Sequence, residues 1–119
     1  MVHNSYCRDV RSNVPPSGPL GESTAARFLV DRGCRVVARN VRADGGEIDL
    51  IIDDEGRTAA VEVKTTSDGS DPIEAVDERK MSLIARTAAS ADRKIDRIDI
   101  VTVAMSLTGV EIRWLRGVD

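Results

Sequence analysis

Four charged side chains stand close together near the middle of the chain, in the stretch GGEIDLIIDDEGRTAAVEVK from Gly45 to Lys64: Glu47, Asp49, Glu62 and Lys64. Two strand-like runs carry them, joined by Asp54-Glu55-Gly56, a turn short enough for an antiparallel hairpin. Period-two alternation sends Glu47, Asp49 and Ile51 to one face and Ile48, Leu50 and Ile52 to the other, with Glu62 and Lys64 on a common face of the second run. Three acids and one lysine can therefore converge on one sheet. Two carboxylates about 4 Å apart repel by roughly 4 kcal/mol at an effective dielectric near 20, so such a set needs a proton, a partner or a cation. Oxygen-only ligands favour a hard cation, Mg²⁺ or Mn²⁺, over zinc. His3 is the single histidine, and Cys7 and Cys34 have no metal-ligand spacing. A hard cation that keeps exchangeable waters suits phosphodiester hydrolysis, with Lys64 orienting water or offsetting charge on the phosphorus. The plainer alternative for Glu62-Val63-Lys64 is a surface cross-strand ion pair, worth at most about 1 kcal/mol.

Other chemistries are poorly supplied. The chain has no GxxxxGK[ST], GxSxG or GxGxxG motif, and no histidine base for a Ser or Cys triad. Its 119 residues suit one domain, and aromatic residues are only 3 %, so the core must rest on Val, Ile, Leu and Ala, and base stacking is disfavoured. No apolar run approaches the roughly 20 residues that span a bilayer, and two cysteines offer at most one disulfide. The expected setting is the reducing cytoplasm, away from membranes.

A net charge of −3 argues by itself against a nucleic-acid partner, but the charge is unevenly placed. Five arginines (27, 32, 35, 39, 42) face Asp31 in one segment, and six bases (79, 80, 86, 93, 94, 97) face Asp92 and Asp96 in another. Between them, six acids (47, 49, 53, 54, 55, 62) face Arg57. An acidic centre between two basic segments suits a metal site acting on a polyanion; solvated faces give the same alternation.

The elements that must position these residues follow from periodicity and punctuation. Residues 1–18 read as a flexible lead-in, and residues 19–119 as a single domain. Pro19 and Gly33 bracket a helix over about 19–32, in which Glu22 reads as a first-turn acid favoured by the helix dipole. Strands are predicted over Cys34–Arg42, 46–53 and 57–65, then a polar loop, Thr66 to Pro72. Asp77 caps a second helix, faced by Met81, Leu83, Ile84, Thr87, Ala88 and Ala91, which permits a parallel crossover to a strand over Ile98–Ala104. A last strand covers Val110–Leu115. The order αβββαββ predicts an α/β or α+β domain with a mixed β-sheet flanked by helices.

Asp49, twelve intervening residues, then Glu62-Val63-Lys64 resembles the PD-(D/E)xK nuclease signature. Gly21-Glu22, Arg39-Asn40 with Arg42, GGEIDLI, VEVK, Arg79-Lys80 and Arg97-Ile98-Asp99 together resemble the YraN-like bacterial family over about residues 20–115. That family is similar to archaeal Holliday-junction resolvases and restriction endonucleases, so the resemblance implies a restriction-endonuclease-like core. It implies Asp49 and Glu62 as metal ligands, Lys64 as the catalytic lysine and Glu22 as a fourth acid reaching in from the first helix. Glu47 would add to the metal shell or support it from behind, and Lys80, Arg42 and Arg39 would contact phosphates. Similar chains carry an arginine two places after the motif lysine, where this one has Thr66, which implies one phosphate contact fewer. The function implied is a Mg²⁺- or Mn²⁺-dependent nuclease on DNA, with branched or recombination-type DNA as a candidate substrate, acting as a homodimer. The competing expectation is a non-catalytic module that keeps the fold and binds nucleic acid or protein.

Overall fold

Runs such as Leu50-Ile51-Ile52 and Ala59-Ala60-Val61 are apolar on both faces, the pattern of strands covered on both sides. The structure, a computed structural model, describes residues 3–9, 18 and 19 as backbone and residues 20–119 in full. In chain order the elements are β1 (His3–Asp9), α1 (Gly18–Asp31), β2 (Arg35–Ala43), β3 (Gly46–Asp54), β4 (Arg57–Thr66), a 3-10 turn (Pro72–Ala75), α2 (Glu78–Ser90), β5 (Arg97–Ser106) and β6 (Gly109–Arg116). They build one six-stranded sheet in the order β1-β6-β5-β4-β3-β2. All neighbours are antiparallel except β4 and β5, which α2 joins as a parallel crossover. The predicted helices, five strands and parallel crossover are all present in a mixed α/β fold. β1 is an addition: residues 3–9 of the expected lead-in pair with β6, from His3↔Arg116 to Asp9↔Val110. The rest of that lead-in, residues 1–2 and 10–17, lies outside the described residues.

Each face of the sheet has its own core. On one side α1 contributes Ala25, Phe28 and Leu29, packed on Leu50, Ile52, Val61, Val63, Val101 and Val103, with the Phe28 ring edge-on to buried Trp114. On the other, Ile84 and Ala88 of α2 pack on Ile48, Ile51, Ala60 and Ile98. Two glycines set how close the helices come. A Cβ on Gly21 would run into the Thr65 hydroxyl of β4, and one on Gly46 would run into the Thr87 hydroxyl of α2. α1 is thereby seated over the C-terminal end of β4, and α2 over the start of β3.

Strict alternation along β3 does not hold. Ile48 and Ile51 belong to the α2 side while Leu50 and Ile52 belong to the α1 side, so the strand changes face at Asp49. β2 does the same opposite it, with Ala38 and Val41 both on the α2 side and Asn40 between them at φ +52°. A residue in that left-handed region turns the chain, and asparagine tolerates it better than most. The prediction that Glu47, Asp49 and Ile51 share a face is therefore corrected. Pairing of β3 with β4 also stops at Leu50↔Val61, and the strands part beyond it.

At the far end of the sheet a buried polar network closes the structure. Asp99, fully buried, accepts from Arg97 Nε at 2.9 Å, Trp114 Nε1 at 3.0 Å and the Gly117 backbone at 2.9 Å. Arg97 also reaches Asp54 at 2.7 Å. Burial works against the Arg97 charge, but the bonds to Asp99 and Asp54 outweigh it and raise its pKa. The Arg97-Ile98-Asp99 motif thus joins β5, the β3–β4 hairpin and the C-terminal end of β6.

Candidate active site

The parting of β3 and β4 makes the site. With no ladder partner beside it, the Val63 N–H donates to Asp49 Oδ2 at 2.8 Å, so the Asp49 side chain takes the place of a strand carbonyl. This bond pins the carboxylate between the strands, half-buried and near the Glu62 charge. Burial is the main cause pushing the Asp49 pKa up to about 7; the Val63 bond opposes it, and the charges of Glu62 and Glu22 add to the rise. At neutral pH the Asp49 carboxyl is poised between its two forms.

Glu62 and Lys64 share the α2 face of β4, as alternation predicts. Lys64 Nζ lies 2.9 Å from Glu62 Oε2, with side chains 18 % and 12 % exposed, so this pair is sheltered from solvent. The surface ion-pair alternative does not describe it. Lys64 also neighbours Lys80 at the start of α2, placed there by the Asp77 cap, whose carboxylate accepts from the Lys80 backbone at 2.9 Å. Burial opposes the Lys64 charge, but Lys80 and Glu62 outweigh it and its pKa rises; Lys80, pressed by Lys64, is lowered.

From the α1 side, half-buried Glu22 faces the same centre. Its pKa is raised by burial first and then by the Glu47 charge, with Arg39 opposing and Glu62 adding. Asn40 ties this flank together. With its amide oriented to suit both carboxylates, it donates to Glu22 Oε1 at 3.2 Å and to Glu47 Oε1 at 3.3 Å. Glu47 therefore stands beside Glu22 on the α1 side and is gripped from outside by exposed Arg42 at 3.4 Å.

The predicted residues thus fall into two groups around Asp49. Glu62, Lys64 and Lys80 lie on the α2 side, and Glu22, Glu47, Arg39 and Arg42 on the α1 side. Asn40 received no role from the sequence; an asparagine inside a β-type run beside Arg39 was the signal for it. Among the described residues, no three His, Cys, Asp or Glu side chains stand as a ready cage for a metal ion. The donor set nonetheless fits the oxygen preference of a hard divalent cation: it is all carboxylate, with Asp49, Glu62 and Glu22 close enough for their charges to act on one another. Cys34 is free and buried, its thiol pushed up to about 11 by burial, which leaves it inert.

What the fold and site define is a mixed α/β domain with a sheltered carboxylate–lysine cluster at a split in its sheet. The protein belongs to the uncharacterised protein family UPF0102, whose model matches residues 21–103, a span that takes in every residue from Glu22 to Lys80. It is 46 % identical over 110 residues to a UPF0102 protein of Solibacter usitatus, covering 84 % of this chain and 83 % of that one. It is 37 % identical over 110 residues to a UPF0102 protein of Paenarthrobacter aurescens, covering 85 % and 91 %. With the UPF0102 protein YraN of Salmonella arizonae the identity is 35 % over 106 residues, covering 84 % and 81 %. The YraN-like resemblance is thereby shown. Among the described residues no helix is long and apolar enough to cross a membrane.

Proposed function

We propose that this protein is a metal-dependent nuclease of PD-(D/E)xK type that hydrolyses phosphodiester bonds in DNA. One observation carries the reading: where two strands part, Asp49 is pinned by the Val63 N–H at 2.8 Å beside Glu62, and Lys64 is held 2.9 Å from Glu62 in a sheltered position. Asp49 and Glu62 would hold the Mg²⁺ or Mn²⁺, with Glu22 approaching from α1 and Glu47 supporting Glu22 through Asn40. Bound there, the cation supplies activation of water and neutralisation of phosphate charge. The chain does the rest. The Val63 N–H fixes the Asp49 carboxylate, and Glu62 keeps Lys64 from turning out to solvent. With a cation at Glu62, the Lys64 ammonium would be free to offset charge on the phosphate. A branched substrate would call for a symmetric dimer.

The test is a cleavage assay over single-stranded, duplex, flap and four-way DNA in Mg²⁺ and in Mn²⁺. Cleavage by the wild type, abolished in Glu62→Ala and in Lys64→Ala, is the expected result. Intact DNA throughout the panel would end the enzyme reading. A second reading, a non-catalytic module that binds nucleic acid or protein, draws on the absence of a ready metal cage among the described residues and on Lys64 occupying Glu62. Calorimetric titration with Mn²⁺ separates the two: binding that needs both Asp49 and Glu62 favours the nuclease.

A further inference from the structure

Along the exposed side of α2 runs an open cleft of about 630 Å³ lined by Asp77, Arg79, Lys80, Ser82, Leu83 and Arg86. Three cations against one acid is a marked local excess in a chain of net charge −3. Each cation is available. Arg79 is exposed and has no acidic partner among the described residues. Arg86 pairs with Asp44 at 3.3 Å, but with side chains 64 % and 49 % exposed, so the pair is weak and readily exchanged for a phosphate. Lys80 is near enough to Lys64 for the two cations to act on each other, and Lys64 is held 2.9 Å from Glu62. An anion lodged between the two lysines would relieve that repulsion.

We infer that this cleft is the track of the substrate's phosphate backbone, leading from Arg86 and Arg79 to Lys80 and so to the scissile phosphate beside Lys64. The inference rests on the nuclease reading and extends it, because Arg79 and Arg86 become substrate-binding residues. Continuity decides for a nucleic acid over an acidic peptide: Lys80 belongs both to the cleft and to the Lys64 cluster. The spacing agrees. Arg79 and Arg86 are seven residues apart, about 10 Å along a helix axis, the rise of roughly three phosphates of one B-DNA strand at about 3.4 Å each.

The test measures binding, with cleavage removed. A Glu62→Gln chain without divalent metal is titrated with fluorescent duplex DNA over a range of salt, alone and with Arg79→Glu and Arg86→Glu added. The expected result is at least a roughly tenfold loss of affinity and a fall of about 2 in the salt slope, near 0.9 for each phosphate no longer neutralised. Arg57→Glu, at the opposite end of the sheet, carries half that charge change and should leave the slope within about 0.5 of the parent. Circular dichroism checks the fold, and the gentler Arg79→Gln with Arg86→Gln should give an intermediate loss. Wild-type-like binding by the reversed chain overturns the inference, as does a parent that binds no DNA or a reversed chain that loses only a poly-glutamate probe. Mn²⁺ titration of the Arg79→Glu, Arg86→Glu pair with Glu62 intact reads the metal site separately, so failure of the track and failure of the nuclease site are distinguishable.

Discussion

Asp49→Asn is expected to make the protein more stable above neutral pH while removing the proposed metal site. The half-buried carboxyl has its pKa raised from 3.8 to about 7, chiefly by burial. Three pKa units correspond to roughly 4 kcal/mol against the ionised form. The sign follows from proton counting: between about pH 4 and 7 the folded state holds a proton on Asp49 that the unfolded chain has released, so stability falls as pH rises through this window. Asp49 thus contributes stability that is complete below its unfolded pKa and lost as pH passes its folded value. Asparagine keeps an oxygen for the Val63 N–H and never ionises, so the variant lacks this loss. Because Asp49 is only half-buried and the denatured chain is itself structured, the gain is put at about 1–3 kcal/mol near pH 8, several degrees in Tm. Urea unfolding, followed by the fluorescence of buried Trp114, would measure it at about pH 5 and pH 8, with and without Mn²⁺. The wild type should lose stability relative to the variant between the two pH values, and only the wild type should gain from Mn²⁺. A variant less stable than the wild type at pH 8 by more than about 1 kcal/mol would refute the reasoning, since the carboxylate would then be stabilising as an anion.

Further expectations concern the frame around the site. Gly46→Ala places a Cβ against the Thr87 hydroxyl and should cost about 1–3 kcal/mol in chemical denaturation, part of which Thr87→Ala in the same chain should restore. Asp99→Ala removes the shared acceptor of Arg97, Trp114 and the Gly117 backbone, and should cost about 3–5 kcal/mol and shift Trp114 emission. A milder loss there, below about 1 kcal/mol, would mean that the network is not needed to hold the far end of the sheet.

Local chemistry carried much of the architecture. The hairpin over Asp54–Gly56, the Asp77 cap and the crossover from β4 to β5 all follow from short-range signals: turn residues, a capping carboxylate, helical spacing between two strands. β1 escaped because its run, HNSYCRD, has no clean apolar alternation; it joins by pairing along β6, a contact that depends on a distant edge and not on its own composition. The change of face at Asp49 escaped for a related reason. Alternation assumes a regular pleat, and the pleat is broken by Asn40 turning in the neighbouring strand.

The sequence by itself determined which chemical groups the centre holds: Asp49, Glu62 and Lys64 at fixed spacing on two strands of one hairpin, an acid early in the first helix, and bases on the second. Types and intervals are written in the chain, and strand geometry turns an interval into a position. Only the tertiary structure decided how those groups meet. The gap beyond Leu50↔Val61 turns Asp49 inward to a backbone N–H, the close seats at Gly21 and Gly46 bring α1 and α2 to the same spot, and burial there raises one carboxyl toward neutrality. These are properties of packing and desolvation, which arise between segments far apart in the chain and are encoded in no one of them.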